Sequence, residues 1–506
     1  MTPQAVPAIE KLRPQAANRP RSERAQLGQF LTPAPVATQV ASLFSPLSLT
    51  RNHLKLLDPG AGVGALSYAF VEWLVRQEYR PSSIEIVAVE LDENLIPLLT
   101  ETLQSCKDIA SAAKISVSTN AVHANFLELY SGQNNLFSSK VLLKDFTHVI
   151  MNPPYRKINS VSDERRLLSQ NGIEVSNIYA GFVALASRLL TEGGELSAIT
   201  PRSFCNGTYF KDFRKQLFSV MALKAAHVFV SRNKAFSEDS VLQENVIFAA
   251  RKTETCPDAV EVHSSDGPNT VVTKYLVPYK TVLSSHDREM VIHLPADDAG
   301  MRAMEFVSVQ PAQLPQLGLS VSTGPVVDFR ARNDIFAEAN EDTVPLLYPA
   351  HFTFNGIEWP TNKRKPNAIA NSPKTAGSLV PVRNYVLVKR FSSKEEKKRI
   401  VARVLDSSQF LTYPRIGLEN HLNFFHGGEY PLDMQLCYGL SAYLNSTVVD
   451  VYFRQFNGHT QVNAGDLRMI RYPALDSLRQ LGVALQQDGA ALYDQERIDE
   501  LVRQII

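Results

Sequence analysis

An alternation of strand-like and helix-like segments runs through the first half of the chain. Apolar runs of strand length occur at Leu54–Leu57, Ile84–Val89 and Thr147–Met151, and stretches with helical spacing of apolar residues lie between them. Strands that alternate with helices form parallel sheets, because each crossover between parallel strands needs a dozen or more residues. The pattern therefore predicts an α/β fold, with a doubly wound parallel sheet and helices on both of its faces.

The pattern changes near residue 255. Beyond it the strands become short and irregular, loops rich in Pro, Gly and Asn dominate, and helical patterns return only near 435–453 and 475–506. A length of 506 residues also exceeds that of one ordinary domain. The expected divisions are a flexible basic arm at 1–25, the α/β domain at 26–255, a connecting segment at 256–290 and a loop-rich α+β domain at 291–506.

Several classes of protein are disfavoured by what the sequence lacks. The N-terminus has no apolar core of a secretory signal, and no apolar run approaches the ~18 residues that span a bilayer. The four cysteines are far apart and form no C-x-x-C pair, which argues against a zinc site or a disulfide framework. We therefore expect a cytoplasmic protein that binds neither a metal nor a membrane.

A glycine-rich turn, Gly60–Gly64, follows the first predicted strand. Glycines there let the backbone approach a ligand at the carboxyl edge of the sheet. Glu90 ends the second strand, where a carboxylate can accept hydrogen bonds from ribose hydroxyls, and Asn125 and Phe126 follow the third strand. Because the turn has neither the G-x-G-x-x-G spacing nor a phosphate-loop motif, these residues predict a site for an adenosine-containing cofactor without phosphates.

The segment Asn152–Tyr155, Asn-Pro-Pro-Tyr, directly follows an apolar strand. Each proline locks its own φ and restricts the residue before it, so the turn rigidly presents two acceptors, the Asn152 side-chain oxygen and the Pro153 carbonyl. Tyr155 adds an aromatic face. Acceptors on the N–H bonds of a conjugated amine stabilise the positive charge that grows as its nitrogen attacks an electrophilic methyl group. The segment therefore favours methylation of a planar substrate that bears an NH₂ group.

These motifs together resemble the amino-methyltransferases that use S-adenosylmethionine, whose hallmark is an Asn-Pro-Pro-Tyr/Phe tetrad. The motif order, with Gly28–Pro33 first and a long C-terminal region last, is similar to that of the gamma-class DNA adenine-N6 methyltransferases of the TaqI type. The resemblance implies a Rossmann-like methyltransferase sheet followed by a DNA target-recognition domain. It also implies S-adenosylmethionine as cofactor and transfer of its methyl group to a flipped adenine in double-stranded DNA.

The same resemblance assigns roles to individual residues. The residues expected to bind the cofactor are Thr32, Asp58, Gly60 and Gly62 at the methionine moiety, Glu90 at the ribose, and Asn125 and Phe126 at the adenine. The family usually has Asp where this chain has Asn125, whose amide oxygen can still accept one hydrogen bond. The residues expected to hold the flipped base are Asn152, Pro153, Pro154 and Tyr155, with Phe236 on the opposite face of the base.

The net charge of +1 hides a local basic excess. Between Lys363 and Arg399 eleven basic residues stand against two glutamates, a balance of +9. Aromatic residues interleave with these charges, and two polar loops near 419–424 and 456–463 carry side chains that can read bases. The residues expected to contact DNA are Arg383, Lys389, Arg390, Lys394, Asn420, His421, His459 and Gln461.

These stretches resemble the recognition half of the PstI/BsuBI modification methylases, and the resemblance runs nearly end to end. It implies CTGCAG as the recognition sequence, with its adenine as the target. A methylase that acts on one strand of a hemimethylated site needs only one active centre, so we expect a monomer. A cognate restriction endonuclease would share the site without forming a stable complex with this chain.

Methyltransferases with other substrates carry the same tetrad. Glutamine methyltransferases of translation factors are usually small and carry their extra domain ahead of the catalytic one, whereas here about 250 of the 506 residues follow it. RNA adenine remains an open alternative, because stacking and hydrogen-bond acceptors treat adenine alike in both polymers. The intact tetrad and glycine turn disfavour a non-catalytic DNA-binding specificity subunit. A fused nuclease is disfavoured because His263 stands where a catalytic Lys would be expected.

Overall fold

The computed structural model of the chain describes residues 31–132, 143–229, 244–284, 287–392, 396–458, 460–487 and 492–506. The N-terminal arm at 1–25 and three predicted site residues, Phe236, Lys394 and His459, lie outside the described residues. Contacts divide the chain into two compact units, residues 1–296 and 297–506. Among the described residues, no helix has the length and hydropathy needed to cross a bilayer. No cluster of His, Cys, Asp and Glu in these ranges could hold a metal ion.

Strands and helices alternate along most of unit 1. Its described strands are β1 (His53–Pro59), β2 (Ser83–Glu90), β3 (Ser116–His123), β4 (Phe146–Met151), β5 (Leu190–Pro201), β6 (Met221–Phe229), β7 (Asn245–Lys252), β8 (Ala259–Ser265) and β9 (Thr273–Pro278). Its described helices are α1 (Ala34–Ser42), α2 (Ala65–Val75), α3 (Ile96–Ala112), α4 (Phe126–Gly132), α5 (Asp163–Gln170), α6 (Ile178–Leu189), α7 (Lys211–Phe218) and α8 (Tyr279–Val282).

The strands of unit 1 form one sheet in the order β3-β2-β1-β4-β5-β7-β6-β8-β9. Strands β1 to β5 pair in parallel, and β7 is antiparallel to both of its neighbours. The predicted α/β sheet is confirmed, and its strand order reverses between β1 and β4. Loops that leave the sheet at such a reversal diverge and open a crevice for a ligand. Residues 256–290, expected to connect two domains, contribute β8 and β9 to this sheet.

Both faces of the sheet are covered, which explains why its central strands read as continuous apolar runs. Helices α1, α2 and α3 pack on one face, where Phe44 and Phe70 lie 5.2 Å apart between ring centroids. The ring of His148 on β4 contacts both phenylalanines, and burial lowers the pKa of this histidine to about 4. His148 is therefore a neutral core residue. Helix α6 contacts β4 and β5, as well as α4 and α7.

Unit 2 mixes small sheets with helices, as the loop-rich α+β pattern predicts. Its described strands are β10 (Ser320–Thr323), β11 (Ile335–Phe336), β12 (Thr343–Leu347), β13 (Phe352–Thr353), β14 (Gly356–Ile357), β15 (Ala368–Ala370), β16 (Leu379–Pro381), β17 (Tyr385–Lys389), β18 (Ala402–Leu405), β19 (Arg415–Leu418) and β20 (Leu422–His426). They form sheets in the orders β10-β20-β17-β18, β11-β15-β12-β19-β16 and β13-β14. Its described helices are α9 (Asp298–Ser308), α10 (Met434–Asn445), α11 (Thr447–Arg454), α12 (Ala464–Met469), α13 (Leu475–Gln487) and α14 (Gln495–Ile505).

The two long helical patterns of the C-terminal region each contain two helices. Ser446 separates α10 from α11 because it adopts an extended conformation, and its hydroxyl accepts the N–H of Val449 as an N-cap. Asp494 caps α14 in the same way by accepting the N–H of Arg497. Apolar periodicity continues across such a break, so it predicts the buried face but not the boundary.

Candidate active site

A cavity of about 410 Å³ opens in unit 1 where β1, β2, β3 and β4 end. Four groups of residues line it: the glycine turn after β1, the end of β2 with the residues that follow, the segment 123–126 after β3, and Asn152 and Pro154 after β4. The sequence placed each of these groups at a strand end. A shared carboxyl edge brings them together, and the volume is within the usual range for a small-molecule site.

The glycine turn needs its glycines for backbone conformation. Gly60, Gly62 and Gly64 have φ angles of 79°, 57° and 85°, in the left-handed region. The N–H groups of Gly60 and Ala61 donate to the carbonyl of Val89 at 2.8 and 2.9 Å, which ties the turn to β2. The backbone of Gly60 and Gly62 therefore forms part of the cavity wall in a fixed position.

Glu90 is held by backbone donors at the end of β2. Its Oε2 accepts the N–H of Gly62 at 2.7 Å, and its Oε1 accepts the N–H groups of Leu91 and Asp92 at 2.9 and 2.8 Å. Burial raises the pKa of this carboxyl, and the three backbone hydrogen bonds oppose that shift. A carboxylate has about four acceptor sites, and hydrogen bonds from the described residues occupy three of them, so Oε2 has room to accept a ligand hydroxyl as well.

Asp58 and Thr32 do not line the cavity. The Asp58 side chain is fully buried, and its Oδ2 accepts the hydroxyl of Ser67 on α2 at 2.7 Å. Burial raises the pKa of Asp58 from 3.8 to about 7. Thr32 is also buried, and its Oγ1 accepts a hydrogen bond from Asn152 Nδ2 at 2.9 Å. Asp58 thus bonds to a side chain behind the cavity wall, whereas Thr32 bonds to Asn152, which lines the cavity.

An aromatic pair covers one side of the cavity. Phe126 on α4 and Phe182 on α6 lie 5.1 Å apart between ring centroids, with an interplanar angle of 47°. Asn125 lines the cavity too, and its Oδ1 accepts the N–H of Leu127 at 3.0 Å, so the side chain caps α4. Flat apolar rings beside an amide are suitable for an adenine ring.

Sequence reasoning missed several lining residues. Asp92, Asn94 and His123 also line the cavity, and their position just beyond Glu90 or at the end of β3 could have identified them. Phe182 gave no such signal, because a phenylalanine within an apolar helix is ordinarily a core residue. Only the contact between two helices places it in the cavity wall.

The tetrad is fixed at the edge of the cavity. Asn152 is 9% exposed and Pro154 lines the wall, while the Tyr155 hydroxyl donates to the carbonyl of Ile199 on β5 at 3.1 Å. The Tyr155 ring meets Tyr179 of α6 edge-on, with centroids 6.3 Å apart and planes at 81°. Burial raises the pKa of Tyr155 well above its usual range, so it remains a neutral phenol.

In unit 2, four of the residues predicted to contact DNA lie together. Arg390, Asn420, His421 and Gln461 belong to three segments joined by backbone pairing. Lys389 is half-buried with its ammonium 5.7 Å from the ring of Phe352, and burial lowers its pKa. Arg383 donates to the carbonyl of Gly428.

The basic segment is not wholly a surface feature. Arg399 is 1% exposed and donates to Ser392 Oγ and Asn457 Oδ1 at 3.1 and 2.8 Å. Its guanidinium therefore serves as an internal anchor. The local balance of +9 overstates the charge that a ligand would meet.

Comparisons with known proteins agree with this architecture. The model of the Eco57I restriction-modification methylase family matches residues 72–236. The type II methyltransferase M.BsuBI of Bacillus subtilis is 43% identical over 91% of this chain and 90% of its own length. The type II methyltransferase M.PstI of Providencia stuartii is 40% identical over 97% of this chain and 95% of its own.

Among solved structures, the type IIL restriction-modification enzyme MmeI, in complex with DNA, matches with a TM-score of 0.54. The match has 12% sequence identity and covers 99% of this chain and 75% of that one. At this identity the likeness concerns the fold alone.

Proposed function

Because the chain belongs to the type II methyltransferases of restriction-modification systems, we propose that it methylates N6 of an adenine flipped out of double-stranded DNA. It is a site-specific DNA methyltransferase, and S-adenosylmethionine is its cofactor. We propose CTGCAG as the recognition sequence and unit 2 as the part that reads it. We further propose that the chain acts as a monomer and that any cognate endonuclease acts separately at the same site.

The cavity in unit 1 has the features that S-adenosylmethionine needs. Phe126 and Phe182 would offer flat faces to its adenine, and Glu90 Oε2 would accept a ribose hydroxyl. The Gly60–Gly62 backbone would leave room for its methionine moiety. When bound, this cofactor supplies an electrophilic methyl group. Asp58 contributes from behind the wall, since its ionised form would favour a cationic ligand.

The observation that carries the proposal is the position of Asn152 at the edge of this cavity. Its amide is anchored through Nδ2 to Thr32, and the prolines fix the backbone that bears it. Carbonyl oxygens of Asn152 and Pro153 accept the two N–H bonds of the adenine amino group. They make the nitrogen more pyramidal and stabilise the charge that develops on it.

Tyr155 gives the flipped base a face on which to stack. Its hydroxyl is occupied by the Ile199 carbonyl and its pKa is raised, so it cannot act as a base. The alkylated nitrogen is strongly acidic and loses its proton to solvent. Catalysis then depends on alignment and hydrogen bonding rather than on a general base.

The test is methyl transfer from labelled S-adenosylmethionine to unmethylated plasmid DNA, followed by single-molecule sequencing. We expect N6-methyladenine at one short palindrome, CTGCAG. Modified cytosine would contradict the adenine assignment, and modified adenine at another palindrome would contradict only the proposed sequence. Incorporation into RNA and not into DNA would contradict the substrate.

A further inference from the structure

Three short segments of unit 2 meet beside β17 and β20. We call this surface the three-segment edge; it comprises residues 390–392, 419–421 and 460–462. The N–H of Arg390 donates to the carbonyl of His421 at 2.8 Å, and the N–H of Val462 donates to the carbonyl of Arg390 at 2.7 Å. An antiparallel bridge also joins Phe391 and Gln461. Side chains on this edge therefore project from a backbone fixed by neighbouring strands.

A buried carboxylate orients a half-exposed histidine on this edge. Glu419 is 0% exposed, and its Oε1 lies 2.6 Å from His421 Nδ1, whereas 44% of the His421 side chain is exposed. The second oxygen, Oε2, accepts the N–H of His421 at 2.9 Å. A carboxylate only accepts, so Nδ1 carries the proton and donates it. Both oxygens of one buried anion are thus used to hold a single residue.

The opposite ring nitrogen of His421 is left for a ligand. Within the described ranges of the chain, no hydrogen bond engages His421 Nε2. With Nδ1 protonated, Nε2 of the neutral ring is a hydrogen-bond acceptor. Phosphate oxygens also only accept, so this nitrogen pairs poorly with the DNA backbone. The exocyclic amino groups of adenine and cytosine are donors at the base edges, and they suit it.

An exposed aromatic ring stands beside this histidine. Phe391 is 42% exposed, and its ring centroid lies 4.7 Å from that of His421. The guanidinium of Arg390 is 5.9 Å from the same ring, and its Nη1 donates to the Asn420 carbonyl. The edge therefore combines a cation, an apolar ring and an oriented acceptor, which suits a nucleic-acid surface that presents phosphates, sugars and base edges.

We propose that His421 reads one base pair of the recognition sequence through Nε2, and that Glu419 is the positioning residue that fixes its orientation. Phe391 shields this contact from water by packing on the neighbouring nucleotide. The proposal rests on the proposed function, because it takes double-stranded DNA as the ligand of unit 2. It adds to that function a specific base-reading residue and the residue on which it depends.

The experiment first determines the recognition sequence of the wild-type enzyme by sequencing plasmid methylated in vitro. Methyl transfer is then measured for that duplex and for duplexes with each single base pair replaced. We expect His421→Ala to lose discrimination at one base pair by about ten- to a hundredfold, with the ratios at the other positions unchanged. We expect Glu419→Gln to lose a smaller part of the discrimination at the same pair.

Two further variants separate base reading from folding. His426→Ala removes a neighbouring histidine that bonds Ser322 on the adjacent strand, and we expect the wild-type ratios at every position. In the double variant of His421→Ala and Glu419→Gln, the second change should add nothing to the loss of discrimination. If Glu419 only stabilised the fold, its effect would persist in that background.

The outcomes distinguish this inference from the function on which it rests. A wild-type enzyme that fails to methylate DNA would overturn the proposed function, and this inference with it. A wild-type enzyme that methylates one sequence, with a His421→Ala variant that slows all duplexes equally or none, would overturn the inference alone. If His421→Ala does not fold, His421→Leu gives the same comparison, because leucine has no acceptor, and unchanged ratios there would also refute it.

Discussion

At the scale of single residues, the site depends on contacts between side chains that are far apart in sequence. Asn152 and Thr32 are separated by 120 positions, yet Nδ2 of the first donates to Oγ1 of the second. The contact occupies the amide nitrogen and so fixes which end of the side chain carries the acceptor. Thr32 is thus placed to orient Asn152, and the contact with the cofactor that the family resemblance implies for Thr32 stays a prediction.

Replacing Asn152 with Ala should reduce kcat by about 10²- to 10³-fold, the usual cost of removing one hydrogen-bonding group that stabilises transition-state charge. Cofactor affinity should change little, because the rest of the cavity wall remains. Thr32→Val should cause a smaller loss of kcat, because it removes the hydrogen bond that holds the Asn152 amide but leaves the amide in place. Single-turnover methyl transfer and calorimetric titration with S-adenosylmethionine measure both quantities. Weakened cofactor binding with a normal rate would contradict the assignment of Asn152.

Asp58 predicts a pH dependence of stability. Burial raises its pKa to about 7 in the folded state, against 3.8 in the unfolded chain. The folded state therefore binds more protons between these values, and the contribution of Asp58 to stability falls as the pH rises from about 4 to about 7. This shift of about three pKa units lowers the free energy of unfolding by at most about 4 kcal/mol at the higher pH.

Asp58→Asn keeps the shape and removes the titration. Compared with wild type, this variant should gain relative stability between pH 5 and pH 8, because only the wild type must bury a charge at the higher pH. Urea unfolding at the two pH values gives the comparison. If the two proteins differed in unfolding free energy by the same amount at both pH values, Asp58 would not be titrating in this range.

At the scale of elements, glycines decide how closely two helices of unit 2 approach. A Cβ on Gly439 of α10 would lie 1.7 Å from the Leu478 carbonyl oxygen, and one on Gly482 of α13 would lie 1.8 Å from that of Gln435. The helices cross with their backbones in contact at these two positions. Because the obstacle is backbone rather than a flexible side chain, a larger residue requires the helices to separate.

Gly439→Ala should therefore destabilise the protein by about 1–3 kcal/mol, the usual cost of overpacking, despite the better helix propensity of alanine. Gly465→Ala in α12 provides the matched control, since its Cβ would meet no atom within 4 Å. This second change should be neutral or slightly stabilising. Thermal unfolding of both variants tests the pair, and equal effects would refute the close-approach explanation.

At the scale of the whole molecule, charge is distributed less simply than the sequence suggests. The net charge of +1 conceals the basic segment, and within that segment Arg399 is buried while Lys374 pairs with Asp334 at 2.6 Å. Lys389 and Arg390 are both half-buried, and Arg390 stands on the three-segment edge. Only part of the local excess of positive charge is therefore available to a polyanion.

Salt dependence of DNA binding should reflect this difference. Arg390→Gln should reduce the slope of log affinity against log salt by about 1, the change expected when one phosphate contact is lost. Lys374→Gln, in which a basic residue already paired with a carboxylate is neutralised, should leave the slope unchanged. Fluorescence anisotropy with a labelled duplex at several salt concentrations measures the slope. A wild-type slope for Arg390→Gln would exclude a phosphate contact there.

The features predictable from the sequence are those that local chemistry controls. The turn Gly60–Gly64 was recognisable because its φ angles require glycine, and Asn152–Tyr155 because proline constrains its own backbone. The helix boundaries are predicted less accurately. The pattern over 435–453 indicates a single helical stretch, whereas Ser446 caps the start of a second helix there. Apolar periodicity indicates which face of a helix is buried, and it continues without a break across a residue that caps a helix.

The sequence by itself determined the alternation that makes the sheet, the order of its motifs and the rigid turns at strand ends, because these follow from residues adjacent in the chain. Only the tertiary structure decided that Phe182 completes the cavity wall, that Asp58 is buried behind it and that Glu419 holds His421. Burial and side-chain pairing depend on which distant segments pack together, and no local pattern specifies that packing.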